Sequence, residues 1–415
     1  MASDIRASQR VSSLDGLRGV AALIVVVQHC ALVSPALAAG YYGGDVGGVA
    51  NQIALYSPLH LFWGGAEAVV VFFVLSGVVL VRAMQSSRFT WGSYFPSRLV
   101  RLWLPVIGAV ALGYLLLAVV PTILPKLAGT GTSSPWLDRP FGYPFESVVQ
   151  DLALLGGTSG IVSPLWTLRW EIIFSLLLPV LAFAARLIPA WLFGLVCIAL
   201  SATGAATHVA ALQYLPIFGV GVALAFMWER LDRRGARMGR NASVILWSTG
   251  LIAVVLAMTS KWTLRPILDD AIVTPVSQVL IVSGAVVLVY AAARCRALNR
   301  LLSIKPIAWL GAVSFSLYLV HEPFVLTYAH LTGSAKLTLL LAVPTALLAA
   351  WLFWLVLERP VHHLARSLRD RIASRELADM RARLAATDTA TAAAADAAAE
   401  PADPRHPRTR PLPVG

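Results

Sequence analysis

Ten apolar stretches of helical length run through this chain, and few folds accommodate them. They cover residues 17–39, 59–81, 102–120, 165–185, 188–206, 209–228, 244–260, 271–293, 307–329 and 337–357. The hydrocarbon core of a bilayer is about 30 Å thick and takes about 20 apolar residues of helix to cross. No water reaches that layer, so a helix must satisfy its own backbone polar groups. The expected fold is an all-α polytopic membrane protein, a bundle of about ten transmembrane helices. Only 13% of the residues are charged, against about 25% in a soluble domain.

The basic residues set the orientation. With a cytoplasmic N-terminus, the inner segments hold Arg6, Arg10 and Arg18, then Arg82, Arg88, Arg98 and Arg101, then Arg186. The next carry Arg230, Arg233, Arg234, Arg237 and Arg240, then Arg294, Arg296, Arg300 and Lys305, then Arg359, Arg366 and Arg369. The outer segments hold Lys126, Arg139, Lys261, Arg265 and Lys336. This alternation follows the positive-inside bias and predicts a multi-pass protein of the cytoplasmic (inner) membrane with both termini inside. The net charge of +12 is thereby read as membrane anchoring, with no nucleic-acid partner expected. Cys30, Cys197 and Cys295 are isolated, so neither a metal site nor a disulfide framework is expected.

Three regions follow: a cytoplasmic segment 1–16, a transmembrane domain 17–360, and a tail 361–415 that is basic and then Ala/Pro-rich. The tail lacks apolar variety and is read as largely disordered. The first stretch ends in SPALAAG, with features of a signal peptide. Gln28 and His29 interrupt its apolar run and nine more spans follow, so it is expected to stay uncleaved. The outer loop 121–164 has prolines at 121, 125, 135, 140 and 144. It is a candidate cover for an outer opening or a passive connection.

Ionisable residues inside the spans are few: His29, Glu67, Arg169, Glu171, His321 and Glu322. Such residues are costly in a bilayer and mark functional sites by default. At about 1.5 Å per residue, His29, Glu67, Glu171 and His321 are expected in one layer in the outer half of the membrane, with His29 about 15 Å deep. Glu67 is a candidate partner for Arg169, since a buried charge needs one. Asp45, in the loop YYGGDVGG, is a candidate to fold inward and orient His29. Arg98 and Arg101 share a helix face; with Arg82 and Arg18 they offer a phosphate-binding mouth of bidentate guanidiniums.

The motifs LDGLRGVAALIVVVQH with Arg18 and His29, FFVLSGVVL at 72–80, Arg98-x-x-Arg101, PLWTLRWEIIF at 164–174, SFSLYLVHEPF at 314–324 and LERP at 357–360 resemble, in order, the acyltransferase family 3 membrane proteins. The resemblance implies O-acylation: transfer of an acyl group, often acetyl, from cytoplasmic acyl-CoA to hydroxyls of polysaccharides, lipid-linked sugars, peptidoglycan or small molecules. Acyl-CoA would be the donor substrate, with no permanently bound cofactor, and cell-envelope polysaccharide modification the setting. The partners would be the glycan or other hydroxyl acceptor, the lipid bilayer and a possible second copy of the chain.

The resemblance carries the family's Arg-x10-His pair over to Arg18 and His29 and its Arg-x-x-Arg pair to Arg98 and Arg101; His29, neutral near pH 7, is expected to act as general base. Glu171 follows Arg169 and Trp170 where many members have paired acids, so only Glu171 carries over. The expected catalytic set is His29, Glu171, Asp45 and His321. The donor-binding set is Arg18, Arg82, Arg98 and Arg101, and the acceptor set Glu67, Trp166, Arg169 and Ser316. The alternative is a proton-coupled transporter or exporter of a glycan or small metabolite, with the buried groups as a proton relay; no internal repeat or paired broken helices support it.

Overall fold

The computed structural model describes residues 12–123, 134–137, 144–154 and 156–399. Lys126, Arg139, Arg6, Arg10 and the last sixteen positions of the expected tail, 400–415, lie outside them. The helices are α1 (Ser12–Ala31), α2 (Pro35–Tyr42), α3 (Val49–Tyr56), α4 (Gly65–Met84), α5 (Trp91–Ile123), α6 (Phe145–Ala153), α7 (Leu165–Leu187) and α8 (Ala190–Ala206). There follow α9 (Ala210–Gly235), α10 (Arg240–Met258), α11 (Ser260–Leu264), α12 (Asp270–Arg294), α13 (Arg296–Leu302), α14 (Lys305–Thr332), α15 (Ala335–Phe353) and α16 (Arg359–Ala399). Among the described residues nine helices are long and apolar enough to cross a membrane, and α8 is a shorter apolar helix of 17 residues. The chain is a polytopic helical membrane protein.

Two expectations need correcting. The first span does not reach 39. It ends at Ala31, because the Pro35 ring disfavours helix at the residue before it and Ser34 is accordingly extended, with φ −76° and ψ 119°. His29 therefore sits two residues from the end of α1, about 3 Å along its axis. The tail is not disordered through its length. Alanine is the strongest helix former, and α16 runs to Ala399. It buries Val361, Ala365 and Ala373, and Glu376 lies over Gly92 at the start of α5.

Glycines set the tightest crossings. α1 and α14 run parallel with their backbones almost touching. A Cβ on Gly19 would lie 2.5 Å from Gly311 N, and one on Gly311 2.3 Å from Asp15 O. α4 crosses α9 in the same way: a Cβ on Gly77 would lie 2.3 Å from Phe218 O, and one on Gly221 2.3 Å from Val74 O. Small residues at such crossings let helices gain van der Waals contact where lipid supplies no hydrophobic drive.

Candidate active site

The glycine crossing places the two histidines. Ten residues separate Gly19 from His29, and ten separate Gly311 from His321. Equal rise along two parallel helices brings the rings level. His321 Nε2 lies 3.0 Å from His29 Nδ1. His321 Nδ1 lies 2.9 Å from Leu317 O, and a carbonyl only accepts, so this nitrogen carries the proton. In the neutral ring His321 Nε2 is then the acceptor and His29 Nδ1–H the donor. The remaining nitrogen, His29 Nε2, holds a lone pair. His321 and Glu322 are fully buried. The carboxylate of Glu322 accepts from Ser163 N–H and Oγ–H, pinning the turn before α7 to α14 beside the pair. Trp136, between α5 and α6, lies within 5.3 Å of the His29 ring. Ser134 Oγ donates to Leu32 O at 2.5 Å and anchors the residues beside Trp136.

A cavity opens on the side of α14 nearer its N-terminus. Arg18, Arg98, Arg101, Glu171, Thr167, Ser314 and Tyr318 line it, with Phe72, Phe73 and Leu75 of α4 as its apolar wall. Arg98 Nη2 pairs with Glu171 Oε1 at 2.5 Å, the two side chains 10% and 21% exposed. Arg98 Nε also donates to Ser175 Oγ at 3.2 Å. Arg101 faces the charges of Arg98, Arg18, Glu171 and Glu358. Three arginines against two carboxylates leave the cluster net positive, a fit for an anion. Tyr318 marks the other end of the cavity: its hydroxyl lies 3.0 Å from Thr167 Oγ1 and its ring 6.2 Å from that of His321. Arg18 and His29 are eleven residues apart on α1, about 16 Å.

A family model, described as an acyltransferase domain and belonging to acyltransferase family 3, matches residues 11–358. The chain is a member of that family. Comparison with curated proteins and with solved structures gives no match. The protein is a membrane acyltransferase.

The acyltransferase brings together His29 with His321, and Arg18 with Arg98 and Arg101. Of its other expected site residues, only Glu171 joins either group, in the arginine cavity. Asp45 is exposed and its carboxylate accepts from Gly47 N–H at 2.8 Å; it closes its own glycine-rich turn and does not orient His29. Glu171 serves Arg98 and not the histidines. Arg82 is absent from the cavity lining and lies over Trp228, 5.1 Å from the ring centroid. Glu67 does not pair with Arg169: it sits in the first turn of α4 and accepts from Trp262 Nε1 at 3.1 Å. Arg169 lies over Trp170 at 5.1 Å, its Nε without a hydrogen-bond partner. Trp166 packs on Tyr214 at 5.0 Å between ring centroids. Ser316 is buried; its N–H and Oγ–H both donate to Glu358 Oε2, so it ties α14 to the last carboxylate of the matched segment. The single expected layer of four ionisable groups thus splits three ways: His29 and His321 pair, Glu171 lies in the arginine cavity, and Glu67 bonds Trp262.

The reading of the acyltransferase from sequence missed Trp136, Tyr318 and Thr167. Only Tyr318 carried a signal, standing one turn before His321 in SLYLVH.

Proposed function

We propose that this acyltransferase moves an acyl group, acetyl in the simplest case, from acyl-CoA to a hydroxyl of a cell-envelope glycan, lipid-linked sugar or similar acceptor. The observation that carries the reading is the hydrogen-bond chain Leu317–His321–His29, which directs a lone pair onto His29 Nε2. The donor's phosphates bind the arginine cavity from the cytoplasmic side, held by Arg98 and Arg101 with Arg18. Arginine forks suit phosphate oxygens. The pantetheine arm runs past Tyr318 and presents the thioester to the histidine pair.

The acceptor enters from the opposite face, beside Trp136. His29 Nε2 takes the proton of its hydroxyl as the oxygen attacks the thioester carbonyl. The C–S bond of the tetrahedral intermediate breaks, and the proton on His29 passes to the departing thiolate. The bond to His321 holds the ring in the required tautomer and spreads the positive charge that forms, as a third residue does in a hydrolytic triad.

The test uses purified protein in lipid nanodiscs with labelled acetyl-CoA and a host glycan extract. Label transfer by the wild type and its loss in His29→Ala are expected. Equal transfer by both removes His29 from the chemistry, and proton flux without CoA release would replace the reading with transport.

A further inference from the structure

A second cationic cluster sits where α4, α9 and α12 end, outside the lining of the arginine cavity. At its centre is Trp228 of α9, 5% exposed. The guanidinium of Arg82 lies 5.1 Å from the indole centroid and that of Arg294 5.8 Å. Each arginine stands in the last turn of its helix, where the carbonyl end favours a cation, and each gains from the ring face.

The polar groups of this cluster do not balance. Its carboxylate, Asp232, is already shared by the Arg294 guanidinium and by Tyr290, whose hydroxyl donates at 3.2 Å. Arg82 makes no hydrogen bond among the described residues and faces the like charge of Arg294 as well as Asp232. Trp228 Nε1 is buried with no partner. An indole N–H only donates, and a buried donor left unpaired is costly. The Arg82 guanidinium and the buried indole N–H beside it are thus left without an acceptor, while Arg294 keeps Asp232. Arg233 and Arg234 follow in the last turn of α9 and add to the positive potential.

We infer that Arg82, Trp228 and Arg294 form an anion site that takes one phosphate group. A phosphate offers several oxygens to donors arriving from different directions, and the free fork of Arg82 can bind it in bidentate fashion. It also offsets the two like charges gathered near Trp228. Two sources share this chemistry: the head group of a membrane phospholipid, which basic pockets between transmembrane helices recognise, and a free nucleotide phosphate. The inference does not depend on the acyl-transfer chemistry, because it concerns binding alone.

The experiment is native mass spectrometry of the full-length protein released from detergent micelles, titrated with phosphatidylglycerol and separately with 3′-phosphoadenosine 5′-phosphate. Wild type is compared with Arg82→Gln, Arg82→Lys and Trp228→Phe. The last keeps an aromatic ring and removes only the N–H and the second ring; gel filtration checks that each variant is monodisperse. Saturable retention of one ligand is expected, weakened about tenfold in Arg82→Gln, the scale of a lost charge-assisted hydrogen bond. Trp228→Phe is expected to weaken it by a smaller factor, and Arg82→Lys, which keeps the charge and loses the fork, to fall between wild type and Arg82→Gln. The ligand retained names the source. Retention of neither by the wild type, or retention unchanged in Arg82→Gln and Trp228→Phe, overturns the site.

Discussion

His321 Nε2 and His29 Nδ1 lie 3.0 Å apart although 292 positions separate them in sequence. The first prediction concerns this bond. His29→Ala is expected to lower kcat for acyl transfer by about 10²- to 10⁴-fold, the usual contribution of a positioned base. His321→Ala keeps the base and loses its orientation, so its deficit is smaller and appears in kcat with KM little changed. Initial rates of labelled acyl transfer across acceptor concentration separate the two. A loss confined to KM in His321→Ala would make it an acceptor contact instead.

Arg98 and Glu171 give a prediction about stability. Both are largely buried and bonded to each other. Glu171→Gln leaves Arg98 with the bond to Ser175 and removes the charge that offsets Arg18 and Arg101. A loss of about 1–3 kcal/mol is expected, in line with a buried charged hydrogen bond left incomplete. Thermal unfolding of the single variants and of Arg98→Met/Glu171→Leu measures it; the pair replaced together should cost less than the two single losses summed.

The glycine crossing of α1 and α14 predicts a steric failure. At Gly311 even a methyl group would meet Asp15 O at 2.3 Å, and that neighbour is backbone. Gly311→Leu is expected to push the helices apart and abolish activity together with yield of monodisperse protein. Gly311→Ala should lower the melting temperature and reduce transfer, since misplacement near 1 Å at a reacting centre is enough to cost about 10²-fold. Full activity in Gly311→Ala would show that the crossing does not set the histidine geometry.

His60 supplies a pH dependence. It lies in the turn Pro58–Phe62, between α3 and α4, fully buried and stacked on Trp262 at 4.3 Å. Its Nε2 sits 3.1 Å from the Tyr41 hydroxyl, which takes an N–H from Gln28. Burial, with Lys261 nearby as a lesser cause, lowers its pKa from 6.5 to about 3. Between those values the unfolded chain binds a proton that the folded one does not, so stability rises with pH across that window. The contribution is complete above pH 6.5 and fades as pH falls toward 3. Melting temperatures of wild type and His60→Phe from pH 7 to pH 4 should diverge at the neutral end and converge at the acid end. Parallel curves would mean that His60 titrates normally.

Much of the membrane topology was legible because hydropathy reports a property each helix carries alone. The shared face of Arg98 and Arg101 was legible for a related reason: their spacing on one helix fixes it, while Arg18 joins them from another helix. The ends of helices were less so. Pro35 stops α1 eight residues before the apolar run ends, and an alanine run that buries little in itself still forms α16. Partnerships between helices were hardest. Glu171 could have served His29 or Arg98, and Glu67 could have met Arg169 or Trp262; a sequence places each on a helix without giving its rotation against its neighbours. Trp136 lies in a loop without periodicity, so nothing in its surroundings pointed back to His29.

The parallel pairing of α1 and α14 also dictates when the enzyme comes into being. α1 leaves the ribosome ahead of α14, its partner, which is made almost 300 residues later. At a synthesis rate of about 5–20 residues per second, His29 waits roughly a quarter of a minute to a minute for the ring it bonds. Truncated or stalled chains hold His29 without His321 and lack the tautomer relay. The histidine pair is thereby reserved for molecules in which α14 has been made and packed on α1, a form of quality control written into the order of the helices.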